Sequence, residues 1–173
     1  AFVDGLARCV KFLTCRVLSH LNNGDHWQFP DAIEHLCYLI FNGQINEEVA
    51  TPFVQLIADE QSYNRIIGRF LNTREDDASS IFQCPDHVEY IRRSKAPSGI
   101  EAVEQFNDEG RFPTFQLHNA LASGPFIFNA LPHAKVVHIC RHPVDQIYKW
   151  FERGWGQRET EDPLSFVPIA ETP

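Results

Sequence analysis

The sequence has 173 residues, no methionine, and few basic side chains: 15 lysines and arginines stand against 23 aspartates and glutamates, for a formal charge of −8. Nucleic acids and anionic membranes both require a basic surface, so this balance disfavours either as a partner. No apolar run approaches the roughly 18 residues that a membrane-spanning helix needs. Any anionic ligand would have to bind at a locally positive site.

Paired cysteines are also lacking. The five cysteines form no C-x-x-C pair and their number is odd, so the sequence indicates neither a zinc site nor a closed disulfide framework. This usage favours a reducing compartment such as the cytoplasm. Because the chain begins at Ala1, we expect it to be processed or part of a longer protein. Its 43% hydrophobic and 22% charged residues are typical of one globular domain.

Apolar spacing predicts helices over most of the first seventy residues. Apolar side chains recur at three- and four-residue steps over 2–21, 31–41 and 47–71. A polar, proline-punctuated stretch follows at 72–97 and predicts a connector with a turn or two of helix near 86–92. Residues 1–97 are therefore predicted to form a helical region and its connector.

The pattern differs from residue 98 onward. Ser98 and Glu101 have the spacing of a capping box, which predicts a short helix to about 107. Strands are predicted at 112–117 and 135–140, and helices at 124–131 and 144–153. Two strands separated by a helix suggest a βαβ unit in a parallel sheet. The expected fold class is α/β, rich in helix, with a short parallel sheet.

The junction between the last predicted strand and its helix is the best candidate for an anion site. Arg141 follows the strand, and Pro143 suits the first helical position. The window 133–158 holds five cations and two acids, a charge of +3, whereas the rest of the chain carries −11. Lys149 and Arg153 in this window also have the spacing of an ordinary solvated helix face.

The stretch HAKVVHICRHPVDQIYKWFERGW, residues 133–155, resembles a segment of the sulfotransferases that use 3′-phosphoadenosine 5′-phosphosulfate (PAPS). The resemblance implies a three-layer P-loop-type fold and assigns Arg141 to the cofactor's 3′-phosphate. Lys149 stands where those relatives have a phosphate-binding serine. Gln116-Leu117-His118 stands where many have Lys-Thr-His, which makes His118 the candidate catalytic base. Gln116 replaces a lysine that helps to neutralise the transferring group.

Two parts of that family's pattern are missing. Neither the loop of the Pro-x-x-Gly-Thr-Thr kind nor the closing glycine-rich segment is found. We therefore expect the first strand, its loop and the last part of the fold to lie outside the sequence, which would make the chain a central fragment and a single incomplete domain. Its helical region 1–71 would form part of the acceptor pocket or a lid.

The predicted function is transfer of a sulfuryl group from PAPS to a hydroxyl or amine of a small-molecule, carbohydrate or protein acceptor, without a metal. A second hypothesis is a non-catalytic helical interaction module with a decayed nucleotide site, which the departures at Gln116 and Lys149 favour. A third is a nucleotide kinase relative. The lack of any G-x-x-x-x-G-K-[ST] sequence weighs against that third hypothesis.

Overall fold

Three short parallel strands form the sheet around which the chain folds. The computed structural model describes residues 1–118, 120 and 126–155. Strand β1 (Phe2–Gly5) lies in the centre, between β2 (Phe115–Gln116) and β3 (Val136–Ile139). Phe2 pairs with Phe115 on one side and with Val136 on the other. All three strands therefore end at the same edge of the sheet.

A further extended stretch adjoins β2 on its outer side. Residues 24–28 form isolated parallel bridges to β2 and its approach, between Gly24 and Phe112 and between Gln28 and Phe115. The amide of Gln116 donates to the Gln28 carbonyl at 2.8 Å. This stretch brings Trp27, Gln28 and Phe29 close to the edge where the strands end.

Helices make up most of the remaining described chain. They are α1 (Lys11–Ser19), α2 (Asp31–Phe41), α3 (Glu47–Ile66), α4 (His87–Arg93), α5 (Ile100–Asp108), α6 (Phe126–Ala130) and α7 (Pro143–Phe151), with a 3₁₀ turn at Ile81–Gln83. The Asn46 side chain caps α3 by accepting a hydrogen bond from the Val49 amide at 3.0 Å. In the described parts of the chain, every helix is too short or too polar to cross a membrane.

Both faces of the sheet are covered. Successive residues of β1 point to opposite faces, and both sets are buried. Phe2 and Phe115 belong to a core shared with α2, α3 and α6, and Val3 packs with Cys15 of α1 and Trp27 on the opposite side. The α/β class with a short parallel sheet is thus confirmed. The strands predicted at 112–117 and 135–140 flank β1 and do not pair with each other.

The predicted helix over 2–21 is wrong in its first half. Residues 2–5 form the central strand and only Lys11–Ser19 is helical, so the first seventy residues are not all helical. A central strand is buried on both faces, and Phe2 continues the apolar spacing of the residues that follow. Strand β1, residues 6–10 and α1 form a strand-loop-helix unit. The expectation that the first strand and the loop of the resembled family lie outside the sequence stays a prediction.

Other boundaries differ by smaller amounts. Helix α3 ends at Ile66 and not at 71, because Gly68 follows in a left-handed conformation with φ +65°. The capping box at Ser98 does not form, and Gly99 caps α5. The helices predicted near 86–92 and at 144–153 are confirmed. Of the helix predicted at 124–131, Phe126–Ala130 is confirmed, and residues 124 and 125 lie outside the described residues.

Candidate anion-binding cleft

A cleft of about 490 Å³ opens where the three strands end. The chain leaves β1 toward the loop 6–10, β2 toward His118, and β3 toward Arg141. All three residues proposed from the sequence, His118, Arg141 and Lys149, line this one cleft, together with Arg8, Val10, Lys11, Phe12, Leu13, Arg16, Trp27 and Ala78. Ligands of open parallel sheets bind at such an edge.

The lining of the cleft is strongly positive although the whole chain is acidic. It contains five cations, and no aspartate or glutamate is among its residues in the described part of the chain. Arg141 comes from the predicted strand-to-helix junction and Lys149 from the helix that follows it. Arg8, Lys11 and Arg16 come from the loop after β1 and from α1. This is the local positive site that an anionic ligand of an acidic protein needs.

Arg141 crosses from the end of β3 to the loop that follows β1. Its Nη1 donates to the Arg8 carbonyl oxygen at 3.2 Å. Gln146 and Trp150 of α7 bind the same loop, and the Trp150 Nε1 donates to the Ala7 carbonyl oxygen at 3.0 Å. These contacts fix the arginine beside the loop, and the other guanidinium nitrogens remain available for an oxyanion.

Lys149 faces the cleft from α7, two turns after Arg141. Its Nζ pairs with the Glu152 carboxylate at 2.6 Å, and 36% of its side chain is exposed. An exposed pair of this kind is readily exchanged for another partner. Lys149 can therefore reach an anion in the cleft, but it would have to leave Glu152 first.

His118 is held by a carboxylate that the sequence did not suggest. Glu34 of α2 accepts hydrogen bonds from the His118 backbone amide and, at 3.1 Å, from its Nδ1. With the proton on Nδ1, the Nε2 lone pair is free to accept another. The ring also packs edge-on against Phe29, with centroids 4.9 Å apart, and 30% of the side chain remains exposed.

A second histidine–carboxylate pair lies on the sheet itself. Asp4 of β1 is fully buried and accepts from the His138 Nδ1 at 2.8 Å and from the Ala120 amide at 2.9 Å. His138 is on β3, directly opposite Asp4 in the register. It does not line the cleft. This pair ties the two strands together and provides a natural comparison for His118.

Gln116, which stands where the sulfotransferases that the sequence resembles have a lysine, does not reach the cleft. Its side chain is 1% exposed and lies beneath α1, where its Oε1 accepts from the Cys15 thiol at 3.7 Å. Burial raises the pKa of that thiol to about 12, so Cys15 is a protonated core residue. Lys11, also on α1, supplies a cation at the cleft from a different element.

The loop 6–10 turns tightly between β1 and α1. Lys11 is 3% exposed, and its ammonium donates to the carbonyl oxygens of Gly5 and Leu6, the latter at 3.1 Å. Burial lowers the pKa of Lys11. Arg8 and Val10 adopt left-handed conformations with φ of 71° and 75°. For a β-branched residue such as Val10 this conformation is strained.

Val10→Gly should therefore stabilise the fold. Glycine adopts a positive φ without a steric penalty and is a good helix N-cap, so we expect the free energy of unfolding to rise by about 1 kcal/mol. Val17→Gly in the middle of α1 is the matched control. It is similarly exposed, at 56% against 50% for Val10, and should lower the free energy by about 1 kcal/mol. Urea unfolding measures both, and a loss of stability in Val10→Gly would contradict the strain.

Comparisons of this chain with protein-family models, with curated proteins and with solved structures found no match. Within the described ranges, no group of three or more histidine, cysteine, aspartate or glutamate side chains is arranged to hold a metal ion. What the cleft offers is guanidinium and ammonium groups beside one oriented imidazole.

Proposed function

We propose that this chain is a sulfotransferase that binds PAPS in the cation-lined cleft and transfers its sulfuryl group to a hydroxyl or amine. The observation that carries the proposal is the meeting of Arg141, Lys149 and His118 with three further cations at the carboxyl ends of parallel strands. The volume of about 490 Å³ is within the range of cofactor pockets.

The residues of the cleft fit an elongated polyanion such as PAPS. Arg141 and Lys149 would hold the 3′-phosphate, because a guanidinium fork and an ammonium match its oxygens and charge. Arg8, in the loop before α1, and Lys11, the first residue of α1, would meet the phosphosulfate end near the positive end of the helix dipole. When bound, PAPS supplies the sulfuryl group as an activated anhydride.

His118 is proposed to take the proton of the acceptor as its oxygen or nitrogen attacks. Glu34 keeps the Nδ1 of His118 protonated and so leaves Nε2 as the basic atom. Glu34 also stabilises the imidazolium that forms. Positioning and screening by the cations would supply the rest of the catalysis, as in phosphoryl transfer. The acceptor would be a small molecule, a carbohydrate or a protein side chain.

Arg141→Ala tests the cofactor site. Removing a charge-assisted contact with the 3′-phosphate should weaken binding of adenosine 3′,5′-bisphosphate about 10- to 100-fold. The measurement is calorimetric titration of the full chain. Arg153→Ala is the matched control: it removes the same charge just after α7, but Arg153 does not line the cleft. Equal affinities in the Arg141 variant and the original protein would overturn the phosphate assignment.

The second candidate is an interaction module that retains a nucleotide site without catalysis. Gln116 is buried under α1, and the Lys149 ammonium is paired with Glu152. Both observations favour the module, because neither position presents a free polar group to a cofactor. The two candidates differ in a single measurement. A chain that binds the bisphosphate but releases none from PAPS in the presence of acceptors would be the module.

A further inference from the structure

A second cavity lies next to the cleft and is not used by the proposed chemistry. Its volume is about 370 Å³. Three segments enclose it: the extended stretch with Trp27, Gln28 and Phe29, the end of α3 with Gln61 and Arg65, and the connector. Trp27 lines both this cavity and the cleft.

This cavity gathers most of the orphaned polar atoms of the described structure. Five of the eight buried side-chain nitrogen and oxygen atoms without a partner there belong to residues that line it: Trp27 Nε1, Gln28 Nε2, Gln61 Oε1, and Arg65 Nε and Nη1. Four of the five are donors. Buried polar groups are nearly always hydrogen-bonded, so such a cluster indicates a ligand rich in acceptor oxygens.

Arg65 is the central group of this site. It is only 5% exposed, and its guanidinium carbon lies 5.4 Å from the centre of the Tyr90 ring. The nearby carboxylate of Asp25 is already paired with Arg93 at 3.1 Å. Burial lowers the pKa of Arg65, which is the expected effect on a cation deprived of water.

The charges around the cavity limit what it can bind. Arg65 and Arg69 line it together with a single acid, the exposed Glu60, for a net charge of +1. A singly charged oxyanion balances that charge, and a carboxylate or a sulfate monoester has the acceptor oxygens that the four donors need. A neutral ligand would leave Arg65 uncompensated.

We propose that this cavity binds a carboxylate or sulfate group carried by the acceptor substrate, with Arg65 as its main ligand. Phe29 lines the cavity and also packs against the His118 ring at 4.9 Å between centroids. An acceptor anchored by its anionic group would thus extend past Phe29 toward the candidate base. The anion site depends only on the cavity, whereas its assignment to the acceptor rests on the proposed function.

The test is calorimetric titration of the full chain with D-glucuronate and methyl sulfate, which carry the two kinds of anionic group, and with neutral D-glucose. We expect at least one of the two anions to bind and glucose not to bind. Arg65→Gln should weaken the binding at least tenfold, and Arg74→Gln, at an exposed arginine outside the cavity, should not change it. Far-ultraviolet circular dichroism confirms that each variant is folded.

Gln28→Met provides a second variant if Arg65→Gln does not fold. The Nε2 of Gln28 has no partner among the described residues, so its loss should leave folding intact and still weaken anion binding about threefold or more. Unchanged anion affinity in both folded variants would overturn the proposal, as would a cavity that holds only solvent and binds neither anion.

Competition separates this proposal from the proposed function. Adenosine 3′,5′-bisphosphate should bind equally well to Arg65→Gln and should not displace the bound anion. Displacement would place the anion in the cleft and overturn the second site. Anion binding that requires Arg65 in a chain that does not bind the bisphosphate would keep the anion site and refute its role as an acceptor site.

Discussion

His118→Ala is expected to lower the rate of sulfuryl transfer about 10²- to 10⁴-fold, the usual contribution of a general base. The variant removes the imidazole whose Nδ1 donates to Glu34 and whose Nε2 is left to accept a proton. Because the ring belongs to no phosphate-binding contact that we propose, affinity for adenosine 3′,5′-bisphosphate should stay the same.

The rate is measured as bisphosphate released from PAPS by the full chain, with 4-nitrophenol or D-glucosamine as acceptor. These two compounds offer a phenol, an amine and alcohols. His138→Ala is the control, since it removes a second histidine that is also paired with a carboxylate, Asp4, but lies outside the cleft. Full turnover in His118→Ala with intact binding would remove the base assignment, and equal losses in both variants would point to a structural effect.

The part of the fold near Arg141 could be predicted because its signals are local. The apolar run of β3, the proline that opens α7 and the helical spacing that follows all lie within about fifteen residues. Helix α2 was predicted to the residue for the same reason: Pro30 precedes it and Asn42 follows it. Local turn and period signals are enough for such elements.

Strand β1 could not be predicted in the same way. Its four residues are buried on both faces, so they lack the alternation that identifies a half-exposed strand. Phe2 also continues the apolar spacing of residues that belong to the loop and to α1. Only the pairing with β2 and β3, more than one hundred residues away in the sequence, makes this segment a strand.

The candidate site, like the fold, could be predicted only where the signal is local in the sequence. His118, Arg141 and Lys149 could be proposed from short motifs, and the structure brings them to one cleft. Glu34 could not, because it is 84 residues from His118 and its helix has no motif of its own. Arg8 and Lys11 were missed because their segment was predicted to be helical, which hid the loop between β1 and α1.

A buried ion network joins the connector to the extended stretch. Arg93 of α4 contacts Asp25 through two nitrogens, at 3.1 and 3.2 Å, and both side chains are almost fully buried. The Tyr90 hydroxyl donates to the same carboxylate at 3.0 Å. Arg93 also shares Glu89 with its neighbour Arg92, whose hydrogen bond lowers the pKa of Glu89 to about 2.

Arg93→Met is expected to lower the free energy of unfolding by about 3–5 kcal/mol, because it leaves the carboxylate of Asp25 buried without its main partner. Arg92→Met is the matched control on the same helix. Its side chain is 53% exposed and also pairs with Glu89, so the loss should be about 0–1 kcal/mol. Urea unfolding measures both losses, provided that the slope of the unfolding free energy against urea concentration is the same in the variants and the original protein.

The double variant Asp25→Asn/Arg93→Met decides the cause of that loss. In Arg93→Met the Asp25 carboxylate keeps, among the described residues, only the Tyr90 hydroxyl and Arg111, the latter at 3.6 Å. Removing its charge should recover part of the lost stability, because a neutral amide costs less to bury than a carboxylate. Additive losses would instead assign the effect to the packing of the Arg93 guanidinium on Tyr90 and Phe106, whose ring centres lie 4.9 and 5.9 Å away. A loss in Arg93→Met no larger than in Arg92→Met would show that the buried pair does not stabilise this region.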